Sequence, residues 1–354
     1  MENPLWSDIH RQSENLSYVV QHLYGAERTQ LEEASRFLRN ERPIIFAGVA
    51  SAAYLCAPAE FYLGQHGRVS ATLCASDAYY SLLPALRKAN VVVNSRSGET
   101  AEIVRLAQAL TDEGIPFVAI TNEPQSTLAK LARYVVWSNT HRDDLVSINV
   151  VTGMMTTTLA LAASVCGELD SLYPQFNRLC RFAGEVVSDA VEQRSLMGAF
   201  FEGVRPIYLL YRGHSRGSAL CGRLVLEEVA RTPSVVLEGA EFRQGPNEVI
   251  DERFGAVVFC GAGKQGELNR SLARDIQNSG GRVMLVGETG AVTGGQKELV
   301  FPIAGWPDFL RPVLEVIPVQ LLAYELALAQ GYTPGQTRYI TKVIRTEEGI
   351  PNQS

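Results

Sequence analysis

Short apolar runs recur along this chain, each followed by small or polar turn residues and then by a stretch in which apolar positions return every three or four residues. The segment VVVNSRSGETAEIVRLAQAL, residues 91–110, shows the unit in full. Val91, Val92 and Val93 predict a strand buried on both faces, while Ile103, Leu106, Ala107 and Leu110 fall on one face of a helix. Gly114 and Pro116 then stop that helix. Strand and helix alternating in this way predict parallel sheets sandwiched by helices, with ligand sites at the carboxyl ends of the strands.

The pattern occurs twice. PIIFAGVASAA from Pro43 corresponds to PIYLLYRGHSRGSA from Pro206, ANVVVNSRSGE to GAVVFCGAGKQ, and EGIPFVAITN to SGGRVMLVGE. The offsets hardly drift: Gly48 to Gly213 is 165 residues, and Ser95 to Gly261 and Gly114 to Gly280 are each 166. A shared offset across three landmarks argues for duplication. The expected layout is an N-terminal helical segment over 1–30, a first α/β domain over 31–190, a second over 191–332 and a tail over 333–354, with a mostly helical connector at about 150–200.

Composition narrows the function classes. At 354 residues and 46% hydrophobic content the chain can bury a large core. A net charge of −6 leaves no basic stripe, which argues against nucleic acid or an anionic membrane as partner. The six cysteines are scattered without CxxC or Cys/His spacing, so no metal site is expected and reduced thiols suit a cytoplasmic location. The amino terminus lacks the form of a signal peptide. No uninterrupted apolar run reaches about 18 residues; the longest candidate, 150–166, is broken by Gly153 and Thr156-Thr157-Thr158.

The join between strand and helix, Asn94-Ser95-Arg96-Ser97-Gly98-Glu99-Thr100, holds more hydroxyls than a cap needs. At a helix amino end, unpaired N–H groups and the helix dipole favour an anion, and Ser95, Ser97 and Thr100 each add an O–H donor. A phosphate monoester fits that set. The pattern is neither GxxxxGK[ST] nor GxGxxG, so a nucleotide is not indicated. The competing reading is a helix cap with spare hydroxyls.

NSRSGET resembles the phosphate loop of the sugar isomerase (SIS) domain family, and the doubled layout is similar to two tandem SIS domains of the flavodoxin-like three-layer kind. The resemblance implies that Ser95, Ser97 and Thr100 hold a sugar phosphate; Arg96, standing where the family usually has glutamine, either adds a phosphate contact or points to solvent. It also implies substrate contacts for Ser51 and Ser147, although either serine fits a simple N-cap as well. CGAGKQG, the equivalent loop of the second half, has lost its hydroxyls, so only the first copy is expected to bind phosphate.

GRLVLEEVARTPSVVLEGAEFRQGP resembles the family segment that carries a catalytic glutamate, which falls on Glu228; Glu241 matches a further retained position. On composition alone the Glu227-Glu228 pair reads as a solvated helix face. Moving a proton between C1 and C2 of a sugar needs one base that can take it and return it, and a carboxylate suits. Gln244 occupies the position of a family histidine associated with ring opening, and an amide cannot act as acid or base. Three readings follow: another group opens the ring, the substrate arrives open-chain, or binding persists without catalysis. His66 and His214 were the histidines that folding could bring near.

Lys342 matches a tail lysine that reaches the active site and could stabilise an enolate oxygen or form a Schiff base. Together these features imply a deglycase of a ketosamine 6-phosphate, with an amino-sugar phosphate isomerase and a non-catalytic phosphosugar binder as alternatives. No cofactor is needed for proton transfer. No amidotransferase segment is seen before the repeat, so glutamine-derived ammonia is not expected from this chain. The resemblance further implies a homodimer.

Overall fold

The computed structural model describes residues 3–144, 146–290, 297–339 and 341–349. The chain forms two compact units, one of Arg11–Arg181 with the chain from Thr337 onward, the other of Phe182–Gln336 with the chain up to His10. Residues 11–30 thus group with the first sheet, and the second unit's main segment begins at Phe182. Packing explains it. The Gln12–Tyr24 and Arg28–Leu38 helices bury Leu16, Val19, Val20, Leu23, Leu31 and Leu38 within the first unit, whereas Trp6 of the Pro4–His10 helix lies 5.1 Å from the Tyr324 ring of the other.

The first unit holds β1 (Ile44–Gly48), β2 (Ser70–Cys74), β3 (Asn90–Ser95), β4 (Phe117–Thr121) and β5 (Tyr134–Trp137), all parallel in the order β2-β1-β3-β4-β5. β3 and β4 are buried along their whole length, as continuous apolar runs in a doubly covered parallel sheet must be. Ile103, Leu106 and Leu110 of the Ala101–Asp112 helix pack with Val91, Val93 and Phe117 in one cluster. Every residue of the Asn149–Val165 helix is buried. Three successive threonines survive there because Thr156, Thr157 and Thr158 return their hydroxyls to carbonyls four residues back, at 2.8, 3.0 and 2.8 Å.

The second unit holds β6 (Ile207–Tyr211), β7 (Ser234–Glu238), β8 (Gly255–Cys260), β9 (Arg282–Gly287) and β10 (Glu298–Pro302), again all parallel, in the order β10-β9-β8-β6-β7. Read from the β7 edge this is the order of the first sheet. The Arg311–Ala329 helix is long and apolar enough by composition to cross a membrane, although Arg311, Glu315 and Gln320 interrupt its apolar run. Its most apolar stretch is 83% buried inside the fold, so it is a core helix here.

That helix places a carboxylate in the interior. Glu315 is fully buried and accepts the Ser215 and Ser218 hydroxyls at 3.0 and 2.7 Å. Burial pushes its carboxyl up from 4.5 to about 7, against the opposing pull of Arg311 and the two hydroxyls. Burial likewise pushes the neighbouring His214 down to about 4, which leaves a neutral imidazole near pH 7.

Two predictions follow from packing and burial. A Cβ at Gly153 would stand 2.3 Å from Thr140 Cγ2 and 3.2 Å from Val19 Cγ2. Gly153→Val should therefore lower stability by about 1–3 kcal/mol, read as a reduced denaturant midpoint. For Glu315, the folded pKa lies above the unfolded value, so its contribution to stability is fully present below about 4.5 and is lost as pH rises through about 7. Glu315→Gln should raise Tm by a few degrees at pH 8 and change it little at pH 5; an equal shift at both pH values would mean that the carboxyl titrates normally.

Candidate functional site

β1 and β3 are neighbours in the first sheet, and the chain leaves them toward opposite sides, β1 continuing to β2 and β3 to β4. A crevice at the carboxyl ends of such a strand pair is where open α/β sheets bind ligands. The loop that leaves β1 is tight: Ala50 takes φ 49°, a conformation costing about 1–3 kcal/mol in a non-glycine residue. Ser51 follows as the first residue of the Ser51–Tyr54 helix and is half-buried.

The loop that leaves β3 is held in a fixed shape by its own side chains. Ser95 is 3% exposed and accepts the Gly98 N–H at 3.0 Å; Ser97 accepts the Glu99 N–H at 3.2 Å. A hydroxyl that accepts one bond keeps its O–H to donate, so both serines still offer a proton to an anion. Gly98 has φ +62°, and a Cβ there would meet Ser126 Oγ at 2.2 Å. Any side chain at 98 would push the loop off the Thr127–Leu131 helix. The Arg96 carbonyl takes the Asn122 N–H at 3.1 Å and the Thr121 hydroxyl at 3.3 Å, and Glu99 takes the Thr127 N–H at 2.7 Å.

Thr100 stands at the N-cap of the Ala101–Asp112 helix, yet its side chain makes no capping bond. The plain capping reading therefore does not account for that hydroxyl. Ser147 is likewise no cap. The buried Asp143 carboxylate does that work for the Asn149–Val165 helix, accepting the N–H groups of Ile148, Asn149 and Val150 at 2.8, 2.9 and 2.9 Å. Ser147 instead faces Arg96, whose Nη1 lies 3.5 Å from its Oγ.

The tail meets this loop. Arg96 Nη2 donates to the Lys342 carbonyl, and the first amide of the Ala101–Asp112 helix donates to the Ile344 carbonyl at 3.0 Å. Lys342 is exposed and lines a cleft together with Arg96, Ser97, Glu123, Arg142 and Val343. Arg142 is paired with Glu123 at 2.6 Å. The structure thus gathers Ser95, Arg96, Ser97, Thr100, Ser147 and Lys342 within one unit. The Arg96 guanidinium meets the Ser147 hydroxyl and the Lys342 carbonyl.

Asn122, Glu123, Arg142 and Asp143 were missed from sequence. Asp143 had a signal, an acidic pair five residues ahead of a helix start; the others are brought in by β4 and the loop after β5.

The remaining candidates belong to the other unit. Glu228 is half-buried in the last turn of the Arg216–Val229 helix, and its neighbour Glu227 lies 3.8 Å from Arg223 with its carboxyl raised by burial. Glu241 is part of a capping box for the Gly239–Phe242 helix, accepting the Glu238 N–H at 3.3 Å. Gln244 is exposed just beyond it, before Gly245 at φ +131°. Neither histidine considered earlier supplies a free proton carrier: His214 is neutral in the interior, and His66, in the first unit, is held between the Tyr62 carbonyl at 2.8 Å and Glu168 at 3.0 Å.

The second sheet has its own switch point between β6 and β8, and there the amino end of the Gly263–Asn278 helix is already served. The Ala262 N–H donates to Asp308 Oδ1 at 3.0 Å, and Arg311, 1% exposed, binds the same carboxylate. Arg311 is fixed in turn by the Trp306 carbonyl at 2.6 Å. The chain's own carboxylate sits where a bound anion would.

Residues 37–164 match the family described as the SIS domain. A glutamine–fructose-6-phosphate aminotransferase (isomerizing) from Bartonella quintana is 26% identical over 320 residues, 86% of this chain and 52% of that protein. The chain spans about half the length of the curated relatives it matches. The C-terminal domain of glucosamine-fructose-6-phosphate aminotransferase from Francisella tularensis superposes with a TM-score of 0.81 at 18% identity, covering 94% of this chain and 97% of that one. Tagatose-6-phosphate ketose/aldose isomerase from Escherichia coli gives 0.80 at 17%, covering 94% of each. The two parallel five-stranded sheets and their flanking helices are therefore the α/β fold of SIS-type phosphosugar isomerases, with the SIS domain itself matched over residues 37–164.

Proposed function

We propose that this protein is an enzyme that processes a sugar phosphate, and that its reaction is deglycation of a ketosamine 6-phosphate. The observation that carries the reading is the loop after β3: Ser95 and Ser97 hold the loop in shape while keeping their O–H groups, Thr100 spends nothing on capping, and Lys342 lines the cleft that Arg96 and Ser97 line. Three hydroxyl donors at a helix amino end suit a phosphate dianion. The names of the relatives, an isomerizing aminotransferase and a ketose/aldose isomerase, both describe chemistry at C1 and C2 of a hexose 6-phosphate.

In the proposed reaction Glu228 removes a proton from C1 of the ketosamine, giving an enaminol, and returns it to C2, giving an imine between C1 and the amine. Water adds to that imine and the C–N bond breaks, releasing free amine and the aldose 6-phosphate. The Lys342 ammonium stabilises the developing oxyanion at C2. The exposed amide at Gln244 takes no part in proton transfer, and the substrate is taken in its open-chain form. The chain, an internal duplication of one α/β unit, acts as a homodimer, and proton transfer of this kind needs no metal or cofactor.

Incubation with a fructosamine 6-phosphate should release free amine and glucose 6-phosphate in equal amounts. Glu228→Gln should abolish release while leaving calorimetric binding intact. Ser97→Ala should weaken binding of glucose 6-phosphate by about tenfold, the worth of one charge-assisted hydrogen bond. Binding without turnover across a panel of ketosamines would make the protein a phosphosugar sensor, and turnover of glucosamine 6-phosphate alone would make it an isomerase.

A further inference from the structure

The tail is tied to the loop after β3 and to the helix that follows it by a row of polar contacts. Arg96 holds the Lys342 carbonyl, and the Ala101 amide holds the Ile344 carbonyl at 3.0 Å. Arg345 lies 3.9 Å from Glu99. Glu347 accepts from Tyr80 at 2.5 Å and pairs with Arg105 at 3.1 Å, and Arg105 also reaches the Tyr80 hydroxyl at 3.0 Å. Only one of these contacts grips the residue whose ammonium lines the cleft. Lys342 itself is exposed.

We propose that Arg96 is a positioning residue: its guanidinium fork bridges Ser147 and the backbone of Lys342, and so sets where the lysine stands over the cleft. The fork explains the residue type. A planar guanidinium presents donors in two directions, so Nη1 can face the Ser147 hydroxyl while Nη2 takes the carbonyl. A glutamine amide is shorter and carries no charge, and it would serve one partner at most. Arginine at this place thus works on the tail, and the hydroxyls and amides of the loop are left for the anion.

The test begins on the ligand-free protein, so that it stands apart from the deglycase reading, on which only the kinetic consequence rests. Amide hydrogen exchange is followed by mass spectrometry for peptides spanning the Ala101 amide, which donates to the tail's Ile344 carbonyl, in the wild type, Arg96→Gln and Arg96→Lys. Arg96→Gln should speed exchange of that amide by about tenfold without altering β3, and Arg96→Lys, which keeps a charged donor, should recover much of the protection. Calorimetry with inorganic phosphate should give affinities for wild type and Arg96→Gln within about twofold of each other. With a substrate that is turned over, Arg96→Gln should lower kcat far more than it changes KM. Exchange at Ala101 unchanged in Arg96→Gln would overturn the proposal. A tenfold loss of phosphate affinity with the Ala101 amide still protected would also overturn it, since Arg96 would then be a phosphate ligand.

Discussion

The amino end of a helix at a sheet's switch point carries N–H groups that must find acceptors, and how each sheet of this protein meets that demand governs what its crevice can do. In the second sheet the acceptor is Asp308, clamped by an arginine that is itself almost wholly buried. Displacing that carboxylate would take a close partner from the buried Arg311 and leave it with Glu288 at 3.5 Å. In the first sheet the acceptors are two loop hydroxyls and one carbonyl of an exposed tail. The same strand order therefore supports one helix end served by a carboxylate that a buried arginine clamps and one served by neutral hydroxyl and carbonyl groups.

Much of this was legible in the sequence because it depends on local pattern. The alternation of apolar runs with helical periodicity gives both parallel sheets, and the excess of hydroxyls at 95–100 marks the loop that the structure leaves with an uncommitted Thr100. Gly98 could be read as allowing close approach, although only folding reveals that the approaching group is Ser126. The grouping of residues into units was harder to read, since helices at 12–24 and 28–38 declare an apolar face but not the surface it covers.

What the sequence withheld was the set of partners brought together across long separations. Loss of hydroxyls in CGAGKQG is visible, but the carboxylate that replaces a ligand there comes from 46 positions away. Arg96 looks like a phosphate contact on charge alone, yet its fork meets a backbone carbonyl 246 residues later. Asp143 reads as one of two acidic residues in a loop, and only folding assigns it three helix amides. In each case residue type announced a capacity to bond, and topology chose the partner.

The tail illustrates how such a choice can remain reversible. The bond between the Ala101 amide and the Ile344 carbonyl is a neutral pair, worth about 0.5–1.5 kcal/mol net, whereas a phosphate oxygen on that amide would form a charge-assisted bond worth about 1.5–3. An arriving dianion would therefore outbid the carbonyl. The ties at Glu99–Arg345 and at Glu347 with Tyr80 and Arg105 use side chains that lie outside the loop's hydroxyl set. The tail can thus yield one backbone bond to a ligand and stay fastened on either side of it, which keeps Lys342 at the cleft while the donors beneath change hands.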